Sequence, residues 1–127
     1  MECVYFSEKG KDLFTNIGEI RCDSDFYDYN AKYNDTSLTE ISIYSDYEKE
    51  YGNRIREYSK RLKSLIGIRD LSRFDYFLDE DHRLVFNEIN TIPGFTENSL
   101  CPALIASSLG DLCEALYSAL YERSKRG

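Results

Sequence analysis

The sequence contains no tryptophan, one histidine (His82) and two prolines in 127 residues. A single imidazole offers little to a histidine-based metal centre. The cysteines Cys3, Cys22, Cys101 and Cys113 are scattered without any CxxC pair, so neither a zinc finger nor a disulfide framework is supported. Reduced, structural thiols are the expected state. Long hydrophobic runs are also missing, and nothing approaches the roughly 20 apolar residues that cross a bilayer. The opening MECVYFSEKG has no basic start followed by an apolar stretch, so no secretory signal is read and the cytoplasm is the expected location. Cations are in deficit too, with 16 Lys and Arg against 23 Asp and Glu and a net charge of -7. Nucleic-acid binding draws its affinity from clustered basic residues, so a phosphate backbone is excluded as a partner. A nucleotide bridged by a divalent cation is not.

What is present suits one soluble α+β domain. Hydrophobic residues make up 42% and charged residues 31%, in a chain long enough for a single core. Residues 2–6 and 17–21 read as strands, and Asp23, Ser24 and Asp25 lead into FYDYNAKY (26–33), read as a loop. Over 46–66, Tyr51, Ile55, Tyr58, Leu62 and Leu65 recur at helical spacing and predict one buried face, ended by Gly67. Leu71–Leu78, the polar cluster 79–83 and Leu84–Asn90 form the pattern of a β-hairpin. After Pro93 and Gly94, the residues Leu104, Ile105, Leu109, Leu112, Leu116 and Leu120 mark one or two helices with an interruption at Gly110, and the tail SKRG is expected to fray. There is no internal repeat, low-complexity linker or sign of a second domain.

The hairpin holds the chemistry. Side chains alternate between strand faces, so Arg73, Asp75 and Phe77 point one way, and Phe86, Glu88 and Asn90 share a face on the partner strand. A turn centred near Asp81 and His82 sets Asp75 opposite Glu88 and Arg73 opposite Asn90. Two facing carboxylates repel unless a cation lies between them, and hard oxygen donors of this kind suit Mg²⁺. The same alternation also fits two solvated carboxylates on an open sheet face.

Residues 71–100, LSRFDYFLDEDHRLVFNEINTIPGFTENSL, closely resemble the signature of the D-alanine:D-alanine ligases, which are ATP-grasp enzymes. The shared pattern is an Arg-x-Asp strand, a turn, a strand ending in Glu-x-Asn-Thr, then Pro-Gly-Phe-Thr and a Ser-Leu pair. FYDYNAKY resembles the substrate-covering loop of the same family. The resemblance implies the C-terminal half of an ATP-grasp domain, an antiparallel sheet flanked by helices, with the N-terminal and central domains absent.

It further implies ATP and two Mg²⁺ (or Mn²⁺) ions held by Asp75, Glu88 and Asn90, with Glu88 bridging the ions. Lys32, Asn87 and Glu88 would contact the nucleotide, and Tyr33 would close the loop over the substrates. Arg73 and the N–H of Gly94 would stabilise the oxyanion. Ser99 and Leu100 would flank the second D-alanine. The implied reaction phosphorylates one D-alanine and lets the amine of a second attack the acyl phosphate, giving a dipeptide for peptidoglycan.

Some positions depart from the pattern. His82 replaces a commoner turn glycine, Glu97 and Asn98 stand where small or polar residues are usual, Cys101 often has an aromatic counterpart, and the segment after Gly110 is short. Glu2 lies in or beside the strand that carries a ribose-binding glutamate. D-serine and D-lactate ligases share most of this signature, so the acceptor stays open, although the Lys32 and Tyr33 pair favours an amino acid. Other readings are another carboxylate–amine ATP-grasp ligase and a non-catalytic module that kept the fold. A complementing N-terminal half or a homodimer would be the partner.

Overall fold

Strand β1 (Glu2–Glu8) sends Cys3 and Tyr5 to one side and Val4 and Phe6 to the other, and all four are buried. Such two-sided burial requires cover on both faces of a sheet. The structure, a computed structural model, describes residues 1–22 and 39–126. The FYDYNAKY loop, with Lys32 and Tyr33, lies outside them.

A turn through Lys9 and Gly10, both at positive φ, returns β1 to β2 (Lys11–Phe14) with Glu8 opposite Lys11. A two-residue turn with both φ values positive matches the twist of the strands it joins. The sequence gives no signal for β2, because KDLF is short and half polar. Strands β3 (Glu19–Cys22) and β4 (Thr39–Ser42) pair as a separate antiparallel ribbon. A π-helical turn (Glu48–Gly52) leads into α1 (Asn53–Ile66), which Gly67 ends at φ 78° by donating its N–H to the Lys63 carbonyl.

The hairpin follows as β5 (Leu71–Leu78) and β6 (Leu84–Asn90), and it completes a four-stranded antiparallel sheet in the order β2-β1-β5-β6. Helices α2 (Leu100–Leu109) and α3 (Leu112–Arg126) complete the described chain. α1 packs with Cys3, Tyr5, Phe74 and Tyr76 on one face of the sheet. On the other, Leu100, Cys101, Leu104, Ile105 and Ala115 of α2 and α3 pack with Val4 and Phe6. The expected antiparallel sheet flanked by helices is present.

The buried stripe of α1 differs from the expected one. Tyr51, Ile55 and Ser59 are buried and Leu62 partly so, whereas Tyr58 is exposed and Leu65 is 83% exposed. The stripe turns toward Ser59 because its hydroxyl meets the Tyr76 hydroxyl at 2.9 Å inside the core. A hydrogen-bonded serine is acceptable there, and one without a partner would not be. Leu120 is likewise exposed, and the tail continues α3 to Arg126 instead of fraying, with Arg123 and Arg126 paired to Asp70.

Candidate functional site: a charged row across the hairpin

Asp75 pairs with Glu88 and Arg73 with Asn90, as the alternation predicted. On the other side of β5, Glu2 pairs with Asp75 and Val4 with Arg73. Directly paired residues of an antiparallel sheet point to the same face, so Glu2, Asp75 and Glu88 form one carboxylate row across three strands. It lies on the α2 and α3 side, just beyond the apolar core around Val4 and Phe6. Burial is graded along it: Glu2 and Asp75 are buried and Glu88 is exposed.

The predicted facing breaks at one position. The ladder shifts between Asp75 and Tyr76, so that Tyr76 meets Phe86 and Asn87 is the residue it skips. Such a bulge reverses the alternation beyond it. Phe86 therefore shares the Tyr76 face, with ring centroids 5.6 Å apart, and Val85 lies opposite Phe77 on the side of the acids. Phe86 does not share a face with Glu88 and Asn90. Asn87 itself is exposed.

The turn is pinned from both ends. Asp79 Oδ1 accepts the N–H groups of Asp81 and Arg83, and the Tyr51 hydroxyl donates to the His82 carbonyl at 3.0 Å. His82 has φ 58°, a left-handed value that explains why a glycine would suit this position.

Arg73 is buried and grips Asp75 with a two-pronged contact, Nε to Oδ1 and Nη2 to Oδ2, each at 2.7 Å. Its Nε also lies 3.3 Å from Glu2 Oε2. The hydrogen bonds that Arg73 donates to Asp75, aided by the charge of Glu2, raise the Arg73 pKa above the ordinary arginine value. Cys101 packs in the neighbouring core, where burial pushes its thiol up to about 12. Its side chain is wholly buried there.

Downstream, Asn90 is half-buried and its Oδ1 accepts the Ile92 N–H at 3.1 Å, which orients the amide. Gly94 is needed for space: a Cβ there would sit 2.9 Å from Ser99 Oγ. Ser99 precedes α2, and its hydroxyl bonds Thr96 Oγ1 at 2.8 Å. Leu100 is 1% exposed among Val4, Phe6 and Leu104, so it supports this corner from within the core instead of lining it. Thr96 and the alignment of Glu2 with Asp75 escaped sequence reasoning. The Glu2 alignment depends on a pairing between segments about 70 residues apart, which alternation cannot reveal.

Among the described residues, no three His, Cys, Asp or Glu side chains gather into a metal cage. The donors suited to a hard cation are two carboxylates and an amide, which would leave room for water and phosphate oxygens.

The chain matches the family described as D-ala D-ala ligase C-terminus over residues 1–120. It is 34% identical over 119 residues to a D-alanine--D-alanine ligase from Shewanella sediminis, covering 93% of this chain and 36% of that protein. Against D-alanine--D-alanine ligase A of Brucella suis it is 38% identical over 114 residues, covering 85% and 31%. Among solved structures, D-alanyl-alanine synthetase A from Vibrio cholerae superposes with a TM-score of 0.80 at 27% identity, covering 95% of this chain and 37% of the other. The D-alanine--D-alanine ligase from Bacillus anthracis complexed with ATP superposes with a TM-score of 0.67 at 25% identity, covering 99% and 41%. The chain thus spans about a third of the length of the curated relatives it matches. From the first strand to the middle of α3 the likeness is continuous, and the chain belongs to the D-ala D-ala ligase C-terminus family, carrying the C-terminal half of the ATP-grasp fold.

Proposed function

We propose that the chain is the cation-holding and acceptor-holding part of a cytoplasmic, ATP-dependent ligase that joins two D-alanines for peptidoglycan. The observation that carries this reading is the pairing of Asp75 with Glu88 and of Arg73 with Asn90 on one sheet face. Asp75, Glu88 and Asn90 would hold magnesium, which when bound offsets the repulsion between a carboxylate nucleophile and the γ-phosphate. Every other contribution in this part of the enzyme would be binding and alignment.

Arg73 supplies a fixed positive charge on the same face as the three ligands, suited to an oxyanion that develops as the acceptor amine attacks. The Gly94 N–H would donate to that oxygen. Ser99 would present its hydroxyl to the acceptor carboxylate, held in place by Thr96 and given room by Gly94. Lys32 and Tyr33 would cover the substrates, with Lys32 and Asn87 toward the nucleotide. Alignment of this kind lowers a barrier without a covalent protein intermediate.

The rest of the fold would come from the region that accounts for about two-thirds of its relatives' length. Co-expression with that part of a relative should restore dipeptide synthesis, read as D-alanine-dependent ADP release with the dipeptide detected by mass spectrometry. Asp75→Asn and Glu88→Gln should each lower kcat about a hundredfold or more. An assembled enzyme that accepts D-lactate or D-serine but not D-alanine would reassign the acceptor. One that releases no ADP with any of the three would sink the reading.

A further inference from the structure

Glu2, Asp75 and Glu88 stand in one row across the sheet, and the Arg73 guanidinium reaches two of them, Asp75 at 2.7 Å and Glu2 at 3.3 Å. A divalent ion in the same row would need Asp75 as a ligand. Yet Asp75, the buried acid at the centre of the row, already gives both of its oxygens to Arg73 at 2.7 Å. A divalent ion and a guanidinium on one carboxylate would repel each other at close range, in a setting that water screens poorly. The two cations cannot both have Asp75 on full terms.

We propose that Arg73 is the built-in counter-ion of the metal-free row, and that a divalent cation competes with it for Asp75. This rests on the metal reading given above. The fork releases Asp75 as the ion enters, and the freed N–H groups of Arg73 then face the space the cation and its ligands occupy. Arg73 and Asp75 are two residues apart on one strand, so their Cβ atoms project from the same face, and a change of Arg73 rotamer suffices without backbone movement. The chain thereby keeps its acids paired when no cation is present. It also makes the arginine available only when the cation has arrived.

The test is a Mn²⁺ titration of the 127-residue chain without nucleotide, read by the electron paramagnetic resonance of the unbound ion. Arg73→Gln should raise the Mn²⁺ affinity about tenfold or more, because two charge-assisted hydrogen bonds no longer have to be given up. Arg73→Lys keeps the charge but replaces the fork by a single ammonium, and its affinity should rise by less. In the wild type, the Arg73 Nε–Hε resonance should shift as Mg²⁺ saturates the site. Should Arg73→Gln not fold, the lysine variant and the resonance still decide.

Unchanged or weaker Mn²⁺ affinity in folded Arg73 variants, with binding lost in Asp75→Asn, overturns the competition and leaves the metal site standing. An Nε–Hε signal that stays put at saturation does the same. If the wild-type chain binds no Mn²⁺, the metal reading falls and the competition with it.

Discussion

Arg73 and Asp75 are joined by two hydrogen bonds of equal length, 2.7 Å, from alternate positions of a single strand. Pairs two apart on a strand share a face but seldom meet, since about 7 Å of backbone separates them. Here the long arginine arm folds back along β5 to reach its neighbour.

Replacing Asp75 by Asn should therefore destabilise the chain as well as remove a ligand. The guanidinium is buried and cannot lose its proton, so it keeps its charge beside a neutral partner. A loss of about 2–3 kcal/mol is expected in urea unfolding, below the upper range for a broken buried pair because Glu2 remains close. A loss within about 0.5 kcal/mol would show that water reaches this pair freely.

Gly94→Ala should act on the acceptor side alone. The new methyl would press on Ser99 Oγ, 2.9 Å away, and push the hydroxyl off Thr96. In the assembled enzyme the KM for the acceptor should rise about tenfold or more, while stability changes by less than about 0.5 kcal/mol because Gly94 is exposed. An effect on the KM for ATP alone would assign the glycine elsewhere.

The observed orientation of α1 is checked by two truncations. Ile55→Ala should cost about 3 kcal/mol, because the side chain is wholly buried against the sheet. Leu65→Ala should stay within about 0.5 kcal/mol at its 83% exposure. Equal losses would return Leu65 to the buried face.

Burial pushes the Cys3 and Cys101 thiols up to about 12 from an ordinary value of 9.0. The unfolded chain then ionises first as pH rises, so the stability linked to these thiols is complete below pH 9 and is lost progressively toward pH 12. Denaturant midpoints should fall over that window. At pH 8, iodoacetamide should modify Cys113, which is exposed, and spare Cys3 and Cys101 until the chain unfolds.

The pairing of the hairpin was legible because turn residues and alternating side chains agree on one register. Asn87 was not, since VFNEIN carries no glycine or proline to announce an extra residue. Ser59 misled for a related reason: a serine reads as surface until the tyrosine it bonds is known. The alliance of β1 with β5 lay beyond local pattern altogether, and with it the place of Glu2. Leu100 shows a different limit, because a motif position can be core and still belong to the signature.

The residue that the ladder skips gives β6 two unlike halves. On the turn side of Asn87 the strand offers Phe86 to the ring of Tyr76, and on the far side it offers Glu88 to Asp75. With Asn87 kept in step, the ladder would set Phe86 opposite Phe77 and carry its ring to the side of the acids. Letting one residue bulge out is thus what allows a short ribbon to serve as both mortar and socket.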